Sequence, residues 1–408
     1  MLAIVFAGQG TQTAGMGVDL FEKSVAARRV FTEAESLLGW SVINLCRHGA
    51  TSDALSANTQ IAILTTEIAL LEALREGCWV RPSFVAGHSL GEYAALVAAG
   101  ALQFSEAVRL VNERAALMNA IADGSRGMLA VAGVDEVRIK QVLHCHEEVH
   151  IACFNSPDQL VLAGPLAQLK ALGGALESEG GRCSMLNVSD AFHSPWMQPC
   201  AQRFAEHLER ANWSAFDSTP VANVTGQPYP RERCKWPNLL TRQLQEPVRW
   251  AQICKLLYSQ GVTHVLEISP RPVLSALARS VQPALVAMHL GSPVHLRQAQ
   301  EFVTAAESGA LDFVGRCLAK AACARNYLSA QEQFPTSWRS IYSHLMDKYT
   351  QAQEAPGENH EQLAAAALGF LRGVLDAKGV PLDEQRSSLQ EIAWIAPYGL
   401  SNAMVSAE

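Results

Sequence analysis

No stretch of this 408-residue sequence approaches the roughly 18 consecutive apolar residues that a membrane-spanning helix needs, so the chain is expected not to enter a membrane. Blocks of lysine or arginine are missing too. With a net charge of −7 and 17% charged residues, the composition argues against a nucleic-acid partner. Met1 to Ala7 is apolar but carries no basic residues and stops at Gly8, unlike a secretory leader. The ten cysteines include no C-x-x-C pair, which fits reduced, mostly buried thiols in a cytoplasmic protein. His144, Cys145, His146 and His150 lie close together, yet their spacing matches no standard zinc pattern, and no metal is expected.

What is present is the composition of a globular enzyme, 49% apolar and long enough for a large core with more than one domain or subdomain. LAIVFAG, 2–8, reads as a buried strand ending in the glycine turn GQG at 8–10. A helical pattern fills 59–74, SFVAGHS is a second short buried strand, and GEYAALVAAG starts a helix. Strand, tight turn and helix in that order indicate an α/β fold with a parallel sheet. The middle of the chain changes rhythm. Strands at 128–134, 149–155, 159–164 and 183–188, with helices at 135–145 and 166–178, give the order β-α-β-β-α-β of a ferredoxin-like unit. HVLEISPRPVL, 264–274, reads as another core strand and turn, and from about 300 the pattern is helical. QAQEAPGENHEQ, 351–362, reads as a linker, followed by an apolar stripe of Leu363, Ala367, Phe370, Leu371 and Val374. That tail is expected to be a packing helix or a docking surface. Ser387-Ser388-Leu389 lacks the Asp that precedes a phosphopantetheine attachment serine, so a fused carrier protein is rejected.

Gly87-His88-Ser89-Leu90-Gly91 is a G-x-S-x-G nucleophile elbow lying between an expected strand and an expected helix. A turn that sharp crowds Cβ atoms, hence the glycines. It lifts the Ser89 hydroxyl clear of the chain and aims the Leu90 N–H, at a helix N-terminus, at an oxyanion forming beside it. A serine nucleophile needs a base. Among the twelve histidines His193, in SDAFHSPWM, follows the last strand of the inserted unit, although a satisfied core histidine fits that spacing as well. Asp123, Asp158 and Asp190 lie between the two, and periodicity selects none of them as a third member. The unaided chemistry is acyl transfer or hydrolysis.

The sequence resembles the malonyl-CoA:acyl-carrier-protein transacylases, including the discrete, trans-acting acyltransferases of polyketide and hybrid peptide–polyketide synthases. The motifs run in order over about 1–300: FAGQGTQTAGMG, TQIAILTTEIAL, GHSLGEYAAL, NERAALM, FNSPDQLVLAG, AFHSPWM, VANVTG, RQLQEPVRW and EISPRPVL. The resemblance implies an α/β-hydrolase-like core over 1–124 and 192–300, a ferredoxin-like small subdomain over 125–191, helices packing on the core over 301–350, and a linker and helical tail over 351–408. It implies that Ser89 is acylated with His193 as general base, that Gln9 and the Leu90 N–H form the oxyanion hole, and that the backbone carbonyl of Gln243 orients the histidine. The side chain of Gln243 should then matter little. Arg114 would pair bidentately with the free carboxylate of malonate, a geometry lysine does not reproduce. Gln60 and His88 would line the same pocket, and Asn155 its mouth. Phe192 and the Leu90 side chain would leave little room for an α-methyl branch.

The implied substrates are malonyl-CoA and the phosphopantetheine thiol of an acyl carrier protein or carrier domain, with no bound cofactor. Asp190 departs from the small or neutral residue usual in relatives. A solvent-facing carboxylate is expected there; the alternative is a contact to a hydroxy- or aminomalonyl unit. Ser269 and Arg271 stand where glycines are common, with no consequence assigned. An editing acyl hydrolase would share Ser89 and His193 but normally lacks the arginine, and a non-catalytic partner-binding paralogue would show a degenerate elbow.

Overall fold

The computed structural model describes residues 1–48, 57–78, 80–325, 327, 337–354 and 360–393. Its larger sheet has five parallel strands. In chain order these are β1 (Leu2–Phe6), β2 (Phe84–Gly87), then β7 (Thr219–Val221), β8 (His264–Ile268) and β9 (Val286–Leu290), the last three numbered after the four strands of the insert. The spatial order is β7-β2-β1-β8-β9, so β1 lies at the centre, and all five of its residues are buried. A strand covered by helices on both faces has no solvated side, and LAIVF accordingly shows no alternation. Chain order reverses between β1 and β8, and the crevice beyond the carboxyl ends of such strands is where α/β sheets bind ligands.

The insert comprises β3 (Arg126–Ala132), β4 (His150–Ser156), β5 (Gln159–Pro165) and β6 (Arg182–Met185), with helices Glu136–Leu143 and Leu166–Ser178. Every neighbouring pair is antiparallel, in the order β4-β5-β3-β6, the ferredoxin-like arrangement. Leu129, Val131, Leu160 and Leu162 on the sheet meet Ile139, Leu169, Leu172 and Leu176 on the helices in a core of their own. The unit docks on the larger one through β4, where the Phe154 N–H donates to the Val248 carbonyl and the Val248 N–H to the Ala152 carbonyl, both at 2.9 Å.

The chain is thus α/β, with a parallel sheet, an inserted antiparallel unit and a helical C-terminal region. In that region helix Leu296–Cys323 bridges two cores. Ala299, Val303 and Ala306 join the main one, whereas Phe313, Val314, Cys317 and Leu318 join a second with helices Ser337–Glu354, His360–Ala377 and Leu382–Ala393. The stretch expected as a linker at 351–362 begins inside the helix that runs to Glu354 and ends inside the helix that starts at His360; Pro356 and Gly357 lie outside the described residues. No described helix is long and apolar enough to cross a membrane, and all ten cysteines are free thiols.

Candidate active site

Ser89 sits at the carboxyl end of β2, with φ of +54°. Its neighbours in the elbow have no space for a side chain. A Cβ on Gly87 would lie 1.9 Å from the Gly91 carbonyl carbon, and one on Gly91 would lie 2.1 Å from the Phe6 oxygen. The two glycines let helix Gly91–Ala98 start directly against the ends of β1 and β2. Left-handed backbone costs a serine free energy, of order 1–3 kcal/mol, and two side chains hold it there. The Ser89 N–H donates to Asn223 Oδ1 at 2.7 Å, and the Ser89 carbonyl accepts from Gln243 Nε2 at 2.9 Å.

His193 also has a left-handed backbone, φ +58°. It is buried, and its N–H donates to the Leu244 carbonyl at 3.1 Å. Its Nδ1 lies 2.7 Å from the Gln243 carbonyl and its Nε2 lies 2.7 Å from Ser89 Oγ. A carbonyl only accepts, so the proton sits on Nδ1, and Nε2 is left to accept from the serine hydroxyl. Burial first, and then the positive charge of Arg114, push the His193 imidazole down to about 3. It is therefore neutral, in the tautomer that can take the serine proton.

Arg114, on helix Phe104–Ile121, is 1% exposed. Its Nη1 donates to Gln60 Oε1 at 2.6 Å and its Nη2 to Ser89 Oγ at 3.2 Å. It makes no ion pair with any described residue. A buried cation without a counter-ion is costly, and burial correspondingly pushes its pKa down from the usual guanidinium range.

These groups open on a cavity of about 280 Å³ at the carboxyl ends of β2, β1 and β8. Gln9, His88, Ser89, Leu90, Arg114 and His193 line it, and Phe192 and Asn155 complete the set of expected pocket residues that reach it. Gln60 stands behind Arg114, and Gln243 behind His193. The facing wall comes from the insert, through Met128, Ala130 and Val161, together with Leu186 and Val188 just past β6. Asn155, on β4, accepts from His88 Nε2 at 2.9 Å, and burial lowers the His88 pKa, so that side chain is a neutral wall element.

Two expectations change. The Gln243 side chain is not incidental, because its Nε2 donates both to the Ser89 carbonyl and to Glu92 Oε2, the latter at 2.7 Å. Asp190 neither faces solvent nor lines the cavity. It is 1% exposed, receives two hydrogen bonds from Arg126 (Nε to Oδ1 2.6 Å, Nη2 to Oδ2 3.0 Å), and accepts the Ala191 N–H at 2.7 Å. Because Arg126 opens β3 and also donates to the Ile121 carbonyl at 3.1 Å, this pair ties together the two chain crossings into and out of the insert. Arg271 has a role in place as well: its Nη2 donates to the Gly10 carbonyl at 2.6 Å, tethering the turn that carries Gln9. Asn223 and Glu92 were not identified from sequence. Asn223 stood in the motif VANVTG and Glu92 directly after the elbow, both without an assigned role.

A serine on a strand-to-helix turn, hydrogen-bonded to a neutral histidine whose far nitrogen is fixed by a carbonyl, is equipped for nucleophilic acyl chemistry. The acyl transferase domain family matches residues 3–283. A malonyl CoA-acyl carrier protein transacylase of Bacillus subtilis is 38% identical over 300 residues, covering 72% of this chain and 94% of that protein. The polyketide biosynthesis protein ThaF of Burkholderia thailandensis is 37% identical over 292 residues, 69% of this chain and 24% of that protein. Among solved structures, a malonyl-transacylase in complex with its type II PKS acyl-carrier protein superposes with a TM-score of 0.71 at 33% identity, covering 74% of this chain and 99% of that one. The chain belongs to the acyl transferase family, among its malonyl-CoA:acyl carrier protein transacylases.

Proposed function

We propose that this chain moves a malonyl group from CoA to the phosphopantetheine thiol of an acyl carrier protein through an ester on Ser89, in the cytoplasm and in the service of polyketide assembly. The observation that carries the reading is Arg114: a buried guanidinium with no ion pair among the described residues, 3.2 Å from Ser89 Oγ and facing the cavity. The carboxylate of a malonyl group supplies the missing counter-charge while its thioester carbonyl lies against the hydroxyl.

In the first half-reaction Ser89 Oγ forms a bond to the thioester carbon as His193 Nε2 takes the hydroxyl proton. The oxyanion is met by the Leu90 N–H and by Gln9. The C–S bond then breaks, and the CoA sulfur leaves with the proton held on His193. In the second half-reaction the carrier thiol gives its proton to His193 and its sulfur bonds to the ester carbon; the C–Oγ bond then breaks, and His193 Nε2 returns the proton to Ser89 Oγ. Substrate binding also helps the base. Arg114 is the second cause of the low His193 pKa, after burial, and a carboxylate paired with Arg114 cancels that repulsion when the imidazolium must form.

The polyketide assignment draws support from the similarity to ThaF and to the malonyl-transacylase bound to a PKS carrier. Editing hydrolysis is disfavoured by Arg114, and a non-catalytic role by the intact Ser89–His193 geometry. A hydroxy- or aminomalonyl preference loses its motive once Asp190 is engaged by Arg126. Intact-protein mass spectrometry after mixing with malonyl-CoA tests the reading. A malonyl adduct is expected on the native chain and none on Ser89→Ala; absence of an adduct on the native chain sinks it. Transfer from that adduct to polyketide carriers in preference to fatty-acid carriers tests the pathway.

A further inference from the structure

Beneath the elbow lies a buried polar cluster that the chemistry above does not use. Glu92, on the first turn of helix Gly91–Ala98, is buried and accepts three hydrogen bonds: from Tyr229 Oη to Oε1 at 2.6 Å, from the Asn223 N–H to Oε1 at 3.2 Å, and from Gln243 Nε2 to Oε2 at 2.7 Å. Two of those donors belong to the residues that pin the nucleophile. Asn223 Oδ1 accepts the Ser89 N–H while its Nδ2 donates to the Gly87 carbonyl at 2.6 Å, and Gln243 Nε2 also donates to the Ser89 carbonyl. Gln243 holds the base as well, because its carbonyl accepts from His193 Nδ1. The strained backbone of Ser89 and the ring of His193 therefore converge on one carboxylate.

We propose that Glu92 is a positioning residue that sets the placement of Ser89 relative to His193 through the side chains of Gln243 and Asn223. This rests on the Ser89–His193 reading above and extends it by one layer of residues.

The charge state of Glu92 matters because every group bonded to it arrives as a donor. An ionised carboxylate satisfies all three. A protonated one must itself donate, and Tyr229 Oη is the one bonded atom with a lone pair to receive. The charged and titratable groups facing it are Arg114 on helix Phe104–Ile121, Tyr229 after β7, and Tyr93 on its own helix. Burial dominates over these and pushes the Glu92 carboxyl up to about 7, while His193 lies far lower, at about 3. As the pH falls through neutrality, Glu92 protonates and loosens its hold on Gln243 while His193 is still a neutral base. The acylation rate thus acquires an acid limb that does not belong to the histidine.

The test is single-turnover malonylation of Ser89, followed by mass spectrometry from pH 5.5 to 9, on the full chain and on Glu92→Gln, Glu92→Asp and Gln243→Ala. A misplaced nucleophile costs about 10- to 100-fold in rate. That loss is expected for Glu92→Gln, with little change in half-saturation by malonyl-CoA because Arg114 keeps its hydrogen bonds to Gln60 and Ser89, and without the acid limb near pH 7. Glu92→Asp keeps the charge and should retain the limb. Gln243→Ala keeps the carbonyl that holds His193 and should lose rate to a similar degree. Native rate and native pH profile in Glu92→Gln overturn the proposal. Should that variant not fold, Gln243→Ala decides, and its full native rate is equally fatal. Failure of the native chain itself to form a Ser89 adduct would instead strike the Ser89–His193 reading.

Discussion

The guanidinium of Arg114 is buried, donates to the Ser89 hydroxyl and to Gln60, and forms no ion pair among the described residues, Glu92 acting on it without direct contact. A substrate carboxylate supplies the direct ion pair that offsets the desolvation of such a charge, which makes this residue a selector as well as a binder. Arg114→Ala should lower malonyl loading by about 100-fold or more and narrow the gap between malonyl- and acetyl-CoA, both read as Ser89 adduct against time. Arg114→Lys should not restore loading, since a lysine cannot form the paired hydrogen bonds. Glu92 makes a prediction about stability whose sign opposes its effect on rate. Its folded pKa, about 7, lies above the ordinary 4.5, so its contribution to stability is full below about 4.5 and is lost as the pH rises through 7. Urea unfolding across that window should show native stability falling with pH relative to Glu92→Gln, while acylation speeds up. Neither property was legible from type and spacing. An arginine on a helix is ordinarily a solvated charge, and a glutamate after an elbow is ordinarily a first-turn acid.

At the level of elements, the elbow was the most legible part, because its glycines answer to local sterics. Gly91→Ala places a Cβ about 2.1 Å from the Phe6 oxygen, and overpacking of this kind should cost at least about 1–3 kcal/mol in urea or thermal unfolding. The insert was legible too, through its alternation of strands and helices, although the strand read at 183–188 ends at Met185 and gives Leu186 and Val188 to the cavity wall. Strands β7 and β9 went unread. Thr219–Val221 contains Pro220, a residue that strands tolerate at a sheet edge, and both β7 and β9 are edge strands. The Arg126–Asp190 pair joins elements far apart in sequence. Asp190→Asn should destabilise the chain by roughly 2–3 kcal/mol, below the ~3–5 kcal/mol of a fully buried pair because the Arg126 side chain keeps 16% exposure. It should leave malonyl preference unchanged, since the carboxylate is not part of the cavity wall; a shift in acyl preference would return Asp190 to the substrate.

For the whole molecule, the consequential feature is that helix Leu296–Cys323 serves two cores. A chain ended at Glu354 loses helix His360–Ala377, whose Leu363, Ala367, Phe370 and Leu371 fill the second core. Each buried Leu or Phe contributes about 1.5–3 kcal/mol, and the facing Phe313, Val314 and Leu318 would be uncovered. Increased light scattering and dye binding are expected from that truncation, with Ser89 malonylation retained, because the sheet and cavity are built from residues 1–290. A monodisperse truncated chain would show the second core to be dispensable.

By itself the sequence determined the α/β class, the inserted unit and the placement of Ser89 on a sharp strand-to-helix turn, because each follows from local period or local sterics. It also brought His193, Arg114 and Gln9 forward, through motifs whose spacing is shared with a family. Only the tertiary structure decided that Gln243 acts through its side chain as well as its carbonyl, that Asp190 is a clamp between chain crossings, and that Glu92 gathers the nucleophile and base onto one carboxylate. Those are contacts between residues as many as 154 positions apart. Hydrogen bonds at that separation leave no periodic trace in the chain, since what fixes them is how the strands and helices pack.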